Sequence, residues 1–381
     1  MHNYHLKKIY FIASVEMSVN TFLFNHLKHL SDHFNITVIV NTSDQDFLVK
    51  QGLNIKVIPL KISREINLIS DFCCLFSLFF LFLKERPAAV HSITPKAGLI
   101  AMVAAKLARV PFRVHTFTGQ VWVTSSGIKR FILMSFDGLI GLLTTYNLVD
   151  SGSQRDFLIE QRVLTKDKAL VFGSGSVSGV DLSKFKAKKS VGDKIRQELE
   201  IPRDAFIFLY LGRLVKDKGV LDLARAFSGI ESLNAYLLFV GPDEGMLADT
   251  IKEICFNTPL NIRLLGFTDA PYKYLSASNV ICLPSYREGF GSVIIEAAAM
   301  GVPAVASNIY GITDAVVNNQ TGLLHQAGNI PDIQRSMEHM LFNKRLLAKF
   351  SKAAKTRVSK EFDSKIITSA WVNFYAKHLH S

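Results

Sequence analysis

The stretch PSYREGFGSVIIEAAAMGVPAVAS, residues 284–307, follows a short apolar run at 279–283 and ends in another at 303–306, with a small-residue helix between them. Strand, glycine turn, helix, strand is the unit from which parallel sheets are wound. Gly289 and Gly291 let bare backbone approach an anion, and the helix that follows points its positive end at the same spot. Two carboxylates stand eight positions apart, Glu288 on the loop and Glu296 inside the helix. At about 1.5 Å of rise per residue they are separated by on the order of 10 Å, so each can meet a different part of one ligand.

The surrounding half of the chain repeats the theme. AFIFLYL (205–211) leads into Gly212-Arg213-Leu214 and Lys218-Gly219, another apolar run into Phe239-Val240-Gly241-Pro242, and a third into Leu265-Gly266-Phe267. A glycine or a cation at the carboxyl end of each strand is what an open parallel sheet needs to bind a ligand along that edge. Strands are predicted at 206–211, 236–240, 262–265, 279–283, 303–306 and 322–324, with a helical tail from 332. In the first half they are predicted near 8–13, 36–41, 55–59, 89–92, 112–116, 146–150 and 168–172. TFLFNHLKHLSDHF (21–34) carries an apolar helical face, and GSGSVSGVDLSKFK (173–186) loses periodicity and reads as a linker. The pattern predicts an α/β fold of two Rossmann-like, doubly wound domains facing across a cleft, residues 1–178 and 179–360. A terminal helix at 361–381, with Trp371, Phe374 and Tyr375, is expected to cross back to the first domain.

With 381 residues and 49% hydrophobic content, the chain can bury two large cores, which excludes disorder. Its formal net charge of +12, basic in both halves, suits a nucleotide diphosphate or an anionic membrane surface. No basic run interleaved with aromatics and no nucleic-acid-binding signature occurs, so no nucleic acid partner is expected. Cys73, Cys74, Cys255 and Cys282 are too few and wrongly spaced for a disulfide framework or a zinc site, and read as core thiols of a reducing compartment. Lys7 and Lys8 precede IYFIASV, but Glu16 interrupts the apolar run, which reads as a first strand and not a signal peptide. FCCLFSLFFLFL (72–83) is shorter than the roughly 20 residues that span a bilayer. It is either a buried helix or one lying on a membrane surface between flanking cations such as Lys84 and Arg86. FILMSFDGLIGLLTTYNLV (131–149) holds Asp137 and reads as a helix running into a strand.

Taken together, the E-x7-E element from Glu288 to Glu296 with Gly289-Phe290-Gly291, GRLVKDKG (212–219), GVDLSKF (179–185) and GVPAVAS (301–307) resemble the family 4 retaining glycosyltransferases, whose two-domain architecture is called GT-B. VHSITPKAG (90–98) and RVHTFTGQVW (113–122) further resemble the bacterial branch that assembles surface polysaccharide. The resemblance implies a catalytic set of His115, Arg213, Lys218 and Glu288, and a donor-binding set of Gly212, Gly241, Gly266, Phe267, Gly289, Phe290, Gly291, Ser292 and Glu296. Arg213 and Lys218 would meet the donor diphosphate by a fork and a point charge, and stabilise its departure more than its ground state. Glu288 would hold donor-sugar hydroxyls, the glycine loop would offer backbone donors, and Glu296 would accept from ribose hydroxyls. His115 matches a histidine that faces the donor sugar, as a hydrogen-bond partner and not as a general base.

Acceptor or phosphate contacts are expected from His91 and Lys96. The loop after the first strand, ASVEMSVNTF, lacks the paired glycines of many relatives, so Asn20 or Thr21 would supply side-chain donors there. The implied activity is retaining transfer of an N-acetylhexosamine-type sugar from a UDP-sugar to a lipid-linked saccharide of O-antigen or capsule, at the inner face of the cytoplasmic membrane. Neither a cofactor nor a metal is expected; Asp44-Gln45-Asp46 spells the DxD of metal-dependent transferases but reads as a loop remote from the nucleotide elements. An epimerase or phosphorylase on the same fold, or a non-catalytic nucleotide-sugar binder, are the alternatives. Nothing in the sequence speaks to oligomeric state.

Overall fold

The computed structural model of the protein describes residues 6–62, 67–256 and 261–379. Its tertiary contacts divide the chain into two compact units, Met1–Ser178 with Ser364–Ser381, and Gly179–Asp363.

The first unit is built on strands β1 (Lys8–Ala13), β2 (Asn35–Val40), β3 (Lys56–Pro59), β4 (Ala89–Ile93), β5 (Phe112–Phe117), β6 (Tyr146–Val149) and β7 (Ala169–Leu170). They form one parallel sheet in the order β3-β2-β1-β4-β5-β6-β7. Side chains alternate across a strand, so Ile9, Phe11 and Ala13 enter one core and Tyr10 and Ile12 the other. Both faces are covered, so β1 reads IYFIA over residues 9–13, whereas the buried polar side chains of β4 and β5 (His91, Ser92, His115 and Thr116) are hydrogen-bonded among themselves and to neighbours. Helices Leu68–Glu85, Pro95–Leu107 and Gly127–Leu143 lie on one face. The other face carries helix Phe24–Leu30 and the terminal helix Ser364–Leu379, whose Trp371 and Tyr375 are fully buried.

The Trp371 indole is stacked between two imidazoles, His26 at 4.6 Å and His91 at 4.9 Å. His26 bonds Thr368 through Nδ1 and the Val177 carbonyl through Nε2, tying the terminal helix to the segment that leaves the first unit. Burial lowers the His26 pKa to about 4, so the ring is neutral and stacks without a charge to solvate.

The second unit holds β8 (Phe206–Leu211), β9 (Ala235–Val240), β10 (Ile262–Leu265), β11 (Val280–Leu283), β12 (Ala304–Ser307) and β13 (Gly322–His325), all parallel, in the order β10-β9-β8-β11-β12-β13. In each sheet the winding reverses at one place, between β1 and β4 and between β8 and β11. Loops leave in opposite directions there and open a crevice at the carboxyl ends of the strands.

Several expectations shift in detail. The second unit runs on to Asp363, because Phe362 packs on Phe290 with ring centroids 5.3 Å apart and Asp363 pairs with Val180. The stretch at 173–186 is not a loose linker: Val177 is buried in the first core, and the Val180 amide donates to the Phe362 carbonyl at 2.7 Å. The helix expected over 21–34 is a π-helical turn, Val19–Leu23, followed by Phe24–Leu30. Residues 72–83 belong to the longer helix Leu68–Glu85, of which Cys74, Leu78 and Phe82 form the buried stripe. Among the described residues no helix is long and apolar enough to cross a membrane.

Candidate active site

The switch point of the second sheet is assembled by backbone contact. Gly219 has φ +68°, and a Cβ there would lie 2.1 Å from the Pro284 carbonyl oxygen; a Cβ on Gly241 would lie 2.0 Å from that of Gly212. Only glycine lets the loops after β8, β9 and β11 press this closely.

That approach delivers Lys218 to Glu288. Its Nζ lies 2.5 Å from Glu288 Oε1, the buried Ser285 hydroxyl donates to the same oxygen at 2.9 Å, and the pair is only 16% and 15% exposed. The Tyr286 amide donates to the Asp217 carbonyl at 2.9 Å, and Arg287 pairs with the Asp217 carboxylate at 2.6 Å. Two ion pairs and a backbone bond thus stitch the β8 and β11 loops together. Arg213 lies on the first of these loops. The Tyr210 hydroxyl donates to its carbonyl at 2.7 Å, while its guanidinium reaches Glu244 at 2.8 Å with both side chains substantially exposed. Burial drives the Tyr210 phenol well above its usual range, Glu288 raising it further and Arg213 opposing, so both charges bear on one buried hydroxyl.

Gly291 precedes helix Ser292–Ala299; its carbonyl accepts from the Ile294 amide at 2.9 Å, and the Ser292 and Val293 amides open the helix. Phe290 is fully buried, so only its backbone can serve a ligand. Glu296 is half-buried in the second turn; burial pushes its carboxyl up to about 7 against the pull of Lys184. Among the described residues no side chain or amide hydrogen-bonds it. Gly266 accepts from the Gly241 amide at 3.1 Å at the end of β10, and Phe267 beside it is 66% exposed.

In the first unit His115 is buried on β5. Ser92 holds its Nδ1 at 2.8 Å, the Phe117 ring meets it edge-on at 4.6 Å, and a Cβ on Gly98 would lie 2.4 Å from its Cε1. Burial lowers its pKa to about 3, so the imidazole is neutral and fitted to hydrogen bonding. His91 is a correction. Strand alternation turns it to the opposite face, where Nδ1 meets the Tyr375 hydroxyl at 2.6 Å and Nε2 the Thr116 hydroxyl at 2.7 Å. Both nitrogens are consumed in the core, and no substrate contact remains for it. Lys96 is ion-paired with Asp71 at 2.7 Å, joining two helices. Asn20 and Thr21 are exposed in the π-helical turn after β1, Asn20 accepting from Gln51 at 3.2 Å. Asp44 and Asp46 lie in a turn after β2 where Asp44 pairs with Lys50 at 2.6 Å.

Sequence reasoning missed Ser285, the Arg287–Asp217 pair, Glu244 and Tyr210, all of them partners fixed only by loop packing. It also missed Thr94, a β-branched residue held at φ +78° at the end of β4, its hydroxyl 2.6 Å from that of Ser14. For a β-branched residue this conformation is strained, and it lies beside the switch point of the first sheet.

Residues 191–357 match the model for glycosyl transferases group 1, and residues 8–136 the glycosyl transferase 4-like model. The chain is 32% identical over 346 residues, 90% of each protein, to the capsular polysaccharide biosynthesis glycosyltransferase CapM of Staphylococcus aureus. It is 31% identical, over 70% of each protein, to the UDP-Gal:alpha-D-GlcNAc-diphosphoundecaprenol alpha-1,3-galactosyltransferase of Escherichia coli. Among solved structures, Anabaena HepE in complex with UDP and glucose superimposes with a TM-score of 0.81 at 18% identity, over 97% of this chain and 100% of that one.

Proposed function

This chain belongs to the family 4 glycosyltransferases of GT-B architecture, among those of bacterial surface polysaccharide synthesis, and we propose that it moves a sugar from a UDP-sugar to a lipid-linked saccharide with retention of anomeric configuration. The observation that carries the reading is the Lys218–Glu288 pair, bonded at 2.5 Å over the switch point of the second sheet. Lys218 and the opening amides of helix Ser292–Ala299 meet the donor diphosphate, Arg213 exchanging Glu244 for it. Glu288, held by Ser285, orients the sugar; Glu296 accepts from the ribose, and Phe267 offers its exposed ring to the base.

As the bond from the anomeric carbon to the diphosphate oxygen breaks, the acceptor oxygen bonds to that carbon from the same face. The acceptor proton passes to the departing phosphate oxygen. Lys218 and Arg213 stabilise the charge that develops there, in place of a metal ion. Neutral His115 donates a hydrogen bond to the sugar, and Thr94 with Ser14 lines the acceptor side of the first unit. The E. coli relative's name specifies a UDP-Gal donor, a diphosphoundecaprenol acceptor and an α product, which supports these three features here. An N-acetylhexosamine or closely related hexose is the donor sugar, and the work is done at the cytoplasmic face of the membrane.

The test incubates the protein with a panel of UDP-sugars, with and without diphospholipid-linked saccharides, in EDTA. Acceptor-dependent UDP release with an α-linked product is expected. UDP release without acceptor, or a β-linked product, defeats the proposal.

A further inference from the structure

We propose that helices Leu68–Glu85 and Gly127–Leu143 form one two-helix platform that seats the first unit on an anionic lipid surface. Both flank helix Pro95–Leu107 on the same face of the sheet. On the first of them, Cys74, Leu78 and Phe82 face the core, while Phe72, Phe76 and Phe80, two positions out of phase, are 54–62% exposed. On the second, Phe131 and Leu142 are each 72% exposed on the side away from buried Ile140. Solvated helices bury one apolar stripe and show polar residues outside, whereas these show phenylalanines on both sides of an already covered core helix.

The charges identify the occupant. The three helices carry three carboxylates, and each is withdrawn: Asp71 to Lys96 at 2.7 Å, Glu85 to Lys8 at 2.8 Å, and Asp137 buried under the Trp122 indole N–H at 2.8 Å. Exposed cations remain at the helix ends, among them Lys84, Arg86, Lys106 and Lys129. Aromatic rings at headgroup depth, snorkelling lysines and no exposed acid describe a surface for anionic lipid, not for a protein partner that would need carboxylates to read. The inference rests on the lipid-linked acceptor reading above for its purpose, since the surface would hold the protein where such an acceptor is embedded.

The full-length protein is floated with vesicles of phosphatidylcholine alone and of equal parts phosphatidylcholine and phosphatidylglycerol, at low and high salt. Binding is expected on the anionic vesicles and is weakened by salt. The triple variant Phe72→Ser, Phe76→Ser, Phe131→Ser, whose changes are all exposed, should unfold at the wild-type temperature yet partition at least about tenfold more weakly. Lys84→Glu with Lys129→Glu should abolish the preference for phosphatidylglycerol. Absence of anionic-vesicle binding at low salt overturns the proposal, as does unchanged partitioning of the triple variant. A stable dimer dispersed by the triple variant, without vesicle binding, also overturns it and assigns the face to a second copy. Turnover on a water-soluble short-chain acceptor tests the transferase reading separately, because it needs no membrane.

Discussion

Replacing Lys218 by methionine separates what the Lys218–Glu288 pair does for the fold from what Lys218 does for the reaction. At 2.5 Å, and with an effective dielectric constant of about 20, the attraction is about 7 kcal/mol. Removing two largely buried ions from water costs several kcal/mol each, so the pair adds little net stability. Lys218→Met leaves Glu288 with Ser285 as its hydrogen-bond donor and should destabilise the protein by about 3–5 kcal/mol, the usual result of orphaning one buried ion. For a unit of this size that is a fall in Tm of roughly 10 °C. Adding Glu288→Gln removes the orphaned charge, so the double variant should recover most of the Tm. Turnover should behave differently. A cation that meets the leaving diphosphate contributes about 100- to 1000-fold to kcat, and the double variant cannot regain it. The assay is a double-mutant cycle read by thermal unfolding and by UDP release with a lipid-linked acceptor. If turnover returns together with Tm, or Lys218→Met costs less than tenfold, Lys218 serves only the fold and the assigned chemistry is wrong.

Two other changes probe neighbouring groups. Glu296 binds its proton with a pKa of about 7 in the free protein, and only the ionised form accepts two ribose hydroxyls, so UDP affinity by calorimetry should weaken about tenfold from pH 8 to pH 6. Because the folded value lies above the unfolded 4.5, the carboxyl's contribution to stability is complete below pH 4.5 and lost as pH rises through 7; Glu296→Gln should flatten both profiles. Gly98→Ala places a Cβ 2.4 Å from the His115 ring, which must move by roughly 1 Å away from Ser92. Overpacking costs about 1–3 kcal/mol and better helix propensity returns about 1, so Tm should change little. A shift of that size costs about 100-fold in a positioned reaction, so kcat/KM should fall; an unchanged kcat/KM would falsify the His115 assignment.

Local pattern was enough for much of this. Apolar runs alternating with helices dictated two parallel sheets, and Gly212 and Gly241, which end β8 and β9, with Gly219 in the β8 loop marked the edge at which the loops pack together, because no other residue allows the close approaches at Gly219 and Gly241. The meeting of Lys218 with Glu288 was foreshadowed in the same way, since each stands directly before a glycine, Gly219 and Gly289.

Partners from distant segments were not legible. Whether a β4 histidine serves substrate or core turns on strand parity against a helix 284 residues later, which gave His91 to Tyr375 while leaving His115, one face over, beside Ser92 and Gly98. The phenylalanines at 72–80 are equally apolar whether buried or exposed. Only the packing of Leu68–Glu85 against Pro95–Leu107 decided that Cys74, Leu78 and Phe82 turn inward and the phenylalanines out. Sequence thus determined the periodicities and the backbone's special conformations, which are local energies, whereas side-chain pairing and exposure awaited the fold, because they depend on which distant surfaces the core brings together.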